Sequence, residues 1–129
     1  MTIATKGDSK LFGDLSETRS QAGGCSSSTR GCFLGGHMDP SFRNVIDFVT
    51  MSTLGNFTDF GDMTTDNRYS AGTSNSIRGV IAVGDTPTTS NVIHFITIAT
   101  TGNSQDFGDL TVARRFAAPM SDSHGGLGE

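Results

Sequence analysis

The chain has no tryptophan, one tyrosine, three prolines and two cysteines in 129 residues. Nine lysines and arginines face thirteen acidic residues, for a net charge of −4. With no basic patch, neither nucleic acid nor an anionic membrane is expected as the main partner. No apolar run approaches the roughly 18–20 residues that cross a bilayer. The N-terminus lacks the charged and apolar regions of a signal peptide, so the expectation is a soluble chain made without a cleaved signal. Hydrophobic residues make up 34%, too few for one thick core but enough for thin sheets stacked face to face. Cys25 and Cys32 have no partners at zinc-ligand spacing, and their separation does not match a redox motif. They can face each other across a hairpin, which permits a cross-strand bridge, but two free thiols are expected of a cytosolic chain.

What the chain does have is glycine, 17 residues of it, and a repeat. Residues 91–111 read NVIHFITIATTGNSQDFGDLT, residues 44–64 read NVIDFVTMSTLGNFTDFGDMT, and residues 1–16 read MTIATKGDSKLFGDLS. Gly7, Gly55 and Gly102 correspond, 48 and then 47 residues apart, as do Phe12, Phe60 and Phe107. The copies run over about 1–43, 44–90 and 91–129 within a single domain spanning 1–129. The matching positions for Cys25 and Cys32 in the second copy are Thr73 and Val80, so the repeat does not require sulfur there.

Strands are expected over 1–5, 11–15, 21–26, 29–35, 45–51, 71–74, 77–83, 92–98 and 116–120. Apolar residues on both faces of 45–51 and 92–98 imply burial on both faces. The β-branched content of these runs, and the lack of a 3.6-residue period, exclude helix. Glycine at Gly35, Gly36 and Gly84 ends the apolar strands, and residues 37–43 and 85–90 are expected as surface loops. The third copy decays after Arg115, and residues 124–129, HGGLGE, stand where a strong strand should be.

A strand, an apolar strand ending in Gly-Gly, a further strand, then an aromatic, Leu or Met and Arg resembles a kelch repeat. The matching residues are Gly35, Gly36, residues 45–51, Phe60, Met63 and Arg68, and in the next copy Val83, Gly84, residues 92–98, Phe107, Leu110 and Arg114. Phenylalanine stands where kelch has tryptophan, and the second glycine pair is incomplete. The phrase TGN followed by DFGDLT also looks like repeats in marine tailed-phage (cyanophage-type) proteins. The resemblance implies an all-β fold of kelch-like four-stranded propeller blades, about three per chain, with one blade split between the termini. It implies a non-enzymatic structural or adhesive component of a phage virion or fibre, with cytoplasm as the location otherwise. The rival functions are a propeller enzyme such as a glycosidase and an intracellular kelch-type adaptor.

The residues expected to hold the repeat together are Phe12, Asp14, Arg19, Gly35, Gly36, Phe60, Asp62, Arg68, Gly84, Phe107, Asp109 and Arg114. The loops expected to contact protein or glycan carry His37, Asp39, Asn56, Asp85, Thr88 and Asn103. No cofactor or metal is expected. The Phe-Gly-Asp triplets lack the six or more spaced oxygens of a calcium loop, and His37, His94 and His124 fall at non-equivalent places. No Ser/His/Asp or Cys/His motif is present, and a glycosidase would need two carboxylates roughly 5–10 Å apart across one cavity. Three blades are too few for a closed ring and leave apolar faces and strand edges uncovered. The partner expected to cover them is the chain itself, as a closed dimer completing a six-bladed propeller or as a head-to-tail fibre. Other virion proteins or host-surface glycans are the remaining partners.

Overall fold

The computed structural model describes residues 7–82 and 84–121. Strands β1 (Gly23–Ser26), β2 (Arg30–Met38), β3 (Ser41–Thr50) and β4 (Thr58–Asn67) form one antiparallel sheet in the order β1-β2-β3-β4. Strands β5 (Ala71–Ser74), β6 (Arg78–Ala82), β7 (Val92–Thr97) and β8 (Gln105–Asp109) form a second, in the order β5-β6-β7-β8. Each sheet takes strands from two consecutive sequence copies.

Local chemistry sets these boundaries. The β1–β2 turn is held by Ser27, whose Oγ accepts bonds from Thr29 N at 3.3 Å and Arg30 N at 3.2 Å. Asn75 does the same for β5–β6, its Oδ1 accepting from Ile77 N at 2.9 Å and Arg78 N at 2.7 Å. Short polar side chains that bond their own backbone are the usual turn formers.

The two sheets pack face to face. Cys32, Leu34, Ile46, Phe60 and Met63 of the first enclose a core with Ile81, Ile96 and Ile98, all at most 3% exposed. Register places these residues on one face: Leu34 lies opposite Ile46, and Cys32 opposite Phe48. Each such Leu or Ile stabilises by roughly 1.5–3 kcal/mol.

The Phe-Gly-Asp triplets at residues 60–62 and 107–109 are β-bulges, while that at 12–14 lies outside the strands. Ile46 pairs with Gly61 and Asp47 with Asp59, so Phe60 is the extra residue and turns into the core. Asp59 fixes the bulge by accepting from Gly61 N at 3.0 Å, and Asp106 accepts from Gly108 N at 2.8 Å. Bulges of this kind re-aim a side chain.

Several expectations change. The propeller of kelch-like blades is not present: two separate four-stranded sheets stand without closing or curling into a ring. The physical reason lies in the third copy, where residues 110–121 form no strand and Val112, Phe116 and Met120 are exposed. The reading as an adhesive component of a phage particle or phage fibre rested on propeller blades and falls with them, as do the propeller-enzyme and kelch-adaptor alternatives. The glycine pair at Gly35 and Gly36 does not end β2. It carries positive φ of 62° and 123° at a register shift between Leu34 and Gly36, and the strand runs on to Met38. Residues 37–43 are therefore mostly strand around a tight turn at Asp39-Pro40. Residues 11–15 are not a strand but run alongside the turn at 55–57. The strand expected at 1–5, the end of that expected at 77–83, and the segment 124–129 lie wholly or partly outside the described residues.

Candidate assembly face

Backbone geometry builds the contact between repeats before side chains do. Phe12 O accepts from Gly55 N at 3.0 Å, and Asp14 O accepts from Phe57 N at 2.8 Å. Asp14 N donates to Asn56 Oδ1 at 3.1 Å. The next pair of copies repeats the pattern: Phe60 O accepts from Gly102 N at 2.7 Å, Asp62 O from Ser104 N at 2.8 Å, and Asp62 N donates to Asn103 Oδ1 at 3.0 Å. The close approach requires glycine in the middle. A Cβ on Gly61 would lie 2.5 Å from the carbonyl of Gly102, and one on Gly13 would collide with the carbonyl of Gly55. Asn56 and Asn103, expected to contact outside partners, thus have their side chains engaged in this three-bond stitch.

Among the described residues, the same stitch has two open ends. Residues 107–109 correspond to 12–14 and 60–62, yet a Cβ on Gly108 would meet nothing within 4 Å. Gly7, Asp8 and Ser9 correspond to 55–57 and 102–104 and are exposed. Around the first open end lies an uncovered sheet face. Register sets Thr73, Val80 and Phe95 side by side, at the repeat positions of Cys25, Cys32 and Phe48. Phe60 is 3% exposed but Phe107 is 55% exposed. Both meet a ring edge-on, Phe60 against Phe48 at 5.9 Å and Phe107 against Phe95 at 6.0 Å. Arg30 lies 4.6 Å over the Phe48 ring and donates to Ile98 O in the second sheet at 2.9 Å. Arg78 lies 5.0 Å over the Phe95 ring and is exposed. Apolar residues on both faces of β7 show what each face can bury, and only one is buried here.

The polar residues of the repeat hold the sheets from behind. Asp47 and Arg19 form an ion pair at 2.8 Å with both side chains fully buried. Ser16 Oγ donates into the Asp47 carboxylate, 2.7 Å from each oxygen. Glu17 lies 3.6 Å from Arg19 Nη1 and 3.1 Å from Arg43. Asp85 was expected on a contact loop, but it is 2% exposed. It pairs with Arg68 at 3.7 Å and Arg115 at 2.9 Å. Arg68 also lies 4.4 Å over the Phe42 ring. Arg114, aligned with Arg19 and Arg68, instead uses its backbone, its carbonyl accepting from Gly84 N at 3.1 Å. Gly84 has a φ of 133°. His37 packs its ring on Phe42 at 5.7 Å, while Asp39 and Thr88 are exposed.

At the repeat position of Asp47 the second sheet carries His94, 1% exposed, with Nδ1 3.0 Å from Thr64 Oγ1. Burial pushes its pKa below the ordinary 6.5, and Asp106 opposes this more weakly. The unfolded chain therefore takes up a proton at higher pH than the folded one. Stability is fully present above about pH 6.5 and declines as pH falls toward the depressed folded value. Urea unfolding from pH 7.5 to 5 should show this decline, and His94→Gln should flatten it. An equal slope in that variant would assign the effect elsewhere.

A groove of about 520 Å³ between the Asp39-Pro40 and Thr86-Pro87 turns is lined by Phe42, Thr65 and Asp66, the last its only carboxylate. Among the described residues no three His, Cys, Asp or Glu side chains gather as a metal site. Among them also, no helix is long and apolar enough to cross a membrane. No known protein family and no curated protein matches the chain, so the kelch and phage-repeat resemblance is without support.

Proposed function

We propose that the protein is a non-catalytic assembly module that binds a second copy of itself head-to-tail. Residues 7–9 of one copy seat on residues 107–109 of the next. The observation that carries this reading is the stitch, made twice within the chain and left open at both ends in matching chemistry. Gly7 N and Ser9 N stand where Gly102 N and Ser104 N donate to Phe60 O and Asp62 O. The Asp8 carboxylate stands where Asn103 Oδ1 accepts from Asp62 N. Seating the turn covers Phe107, the most exposed aromatic of that sheet face.

Sedimentation velocity over a concentration series tests the reading: the mean mass should rise with concentration. Phe107→Asp changes a side chain that the single copy leaves exposed, and it should weaken association by about ten- to a hundredfold, as expected for one buried Phe. Asp8→Asn should tighten it, because the internal stitches use an amide where the free end brings a carboxylate up to Asp109. A chain that stays monomeric throughout, or association indifferent to both substitutions, would overturn the proposal.

A further inference from the structure

The β1–β2 hairpin carries a second chemistry, independent of assembly. Cys25 and Cys32 are direct partners across it, flanked by the pairs Gly24–Phe33 and Ser26–Gly31 in unbroken register. Directly opposed residues of an antiparallel pair have Cα atoms about 4.5–5.5 Å apart. That lies inside the roughly 4.4–6.8 Å window of a disulfide. Both sulfurs are free thiols. Glycines Gly24 and Gly31 flank the pair, one on each strand. Cys25 is partly exposed at the hairpin edge and Cys32 is 1% exposed in the inter-sheet core. A Cβ on Gly79 of the facing sheet would collide with Cys25 Sγ, so the site sits where the two sheets touch.

We infer that Cys25 and Cys32 are a reversible thiol–disulfide site, oxidised within one hairpin by exchange with a low-molecular-weight disulfide of the glutathione class. The thiol of Cys25 is hydrogen-bonded to Cys32 and holds its proton well above the usual range. That bond, with Arg30 nearby, lowers the pKa of Cys32. Cys32 first gives its proton to solvent, and its thiolate then serves as base. As the Cys25 sulfur attacks the incoming disulfide, its proton passes to Cys32, one sulfur–sulfur bond breaks and a thiolate leaves. The departing thiolate takes the proton back from Cys32. The Cys32 sulfur then attacks Cys25, forming the Cys25–Cys32 bond and expelling the second thiolate, which is protonated from solvent. The protein loses two electrons and two protons, and one small disulfide becomes two thiols. Thr73 and Val80 at the matching positions leave the β5–β6 hairpin without this chemistry.

The test equilibrates the full chain in graded ratios of reduced to oxidised glutathione, quenches with iodoacetamide and reads intact mass. The expected product is a monomer two hydrogens lighter with neither cysteine alkylated, appearing under native conditions and reversed by excess reduced glutathione. Cys25→Ser should leave Cys32 a free thiol, and Cys32→Ser should stop at a mixed disulfide on Cys25. Both cysteines alkylated at every ratio would overturn the inference. So would a stable mixed disulfide in the unsubstituted chain, or a bridge that forms only in urea.

Discussion

Asp47→Ala is expected to remove about 3–5 kcal/mol of stability, the cost of leaving a buried charge without its partner. Arg19 is fully buried beside Asp47, its Nη2 donating to Asp47 at 2.8 Å and to Phe33 O at 3.5 Å, while its Nε has no hydrogen-bond partner. Glu17 at 3.6 Å is too distant for a good hydrogen bond. Since small domains have only about 5–15 kcal/mol in total, the variant should unfold at a much lower urea midpoint with a similar slope. The charge itself is not what the fold needs. Replacing both partners with apolar residues, Arg19→Met with Asp47→Leu, should recover most of the loss, because no uncompensated charge then stays buried. A single variant losing less than about 1 kcal/mol would mean that Arg19 reaches water when Asp47 is gone.

Ile46→Ala should cost about 2–5 kcal/mol, while Ile93→Ala should cost less than about 1 kcal/mol. The two residues occupy the same place in the repeat, each opposite the glycine of a Phe-Gly-Asp bulge. Ile46 is fully buried under the second sheet, so its loss leaves a cavity as well as forgoing apolar burial. Ile93 is only partly buried on the uncovered face. Urea unfolding of both variants at low protein concentration reads the difference directly. At high concentration the Ile93 variant should lose association as well. Equal costs in dilute solution would show that the second face is covered within a single copy.

Much of this could be read in the chain. The period placed equivalent strands in both sheets, and β5 spans the expected residues Ala71–Ser74. The apolar runs around Ile46 and Ile93 marked β3 and β7. The rest depended on contacts that sequence does not encode locally. Paired apolar faces state a capacity for burial, and nothing in Phe107 distinguishes it from Phe60 except what lies on top. The glycines at Gly35 and Gly36 suggested a strand end, but positive φ lets a strand kink and continue as readily as stop. Asp47 and His94 share a repeat position with different chemistry, because one meets Arg19 and the other meets Thr64. The left-handed residues Gln21, Tyr69 and Phe116, with φ of 60°, 56° and 57°, also recur once per repeat. A glutamine and two aromatics, none of them a residue that favours positive φ, give no signature for that backbone turn.

Because each sheet draws strands from two consecutive copies, the unit of heredity and the unit of packing are out of phase. A crossover between equivalent codons, for example one joining Arg43 to Asn91, removes 47 residues without cutting any sheet short. It yields a hybrid with β1 and β2 from the first copy and the later strands from the third. The stitch survives too, since residues 12–14 would then meet 102–104 in place of 55–57. Misaligned recombination can thus lengthen or shorten such a gene in whole periods while every junction stays in structural frame, although a deletion that leaves one sheet also gives up the core between two.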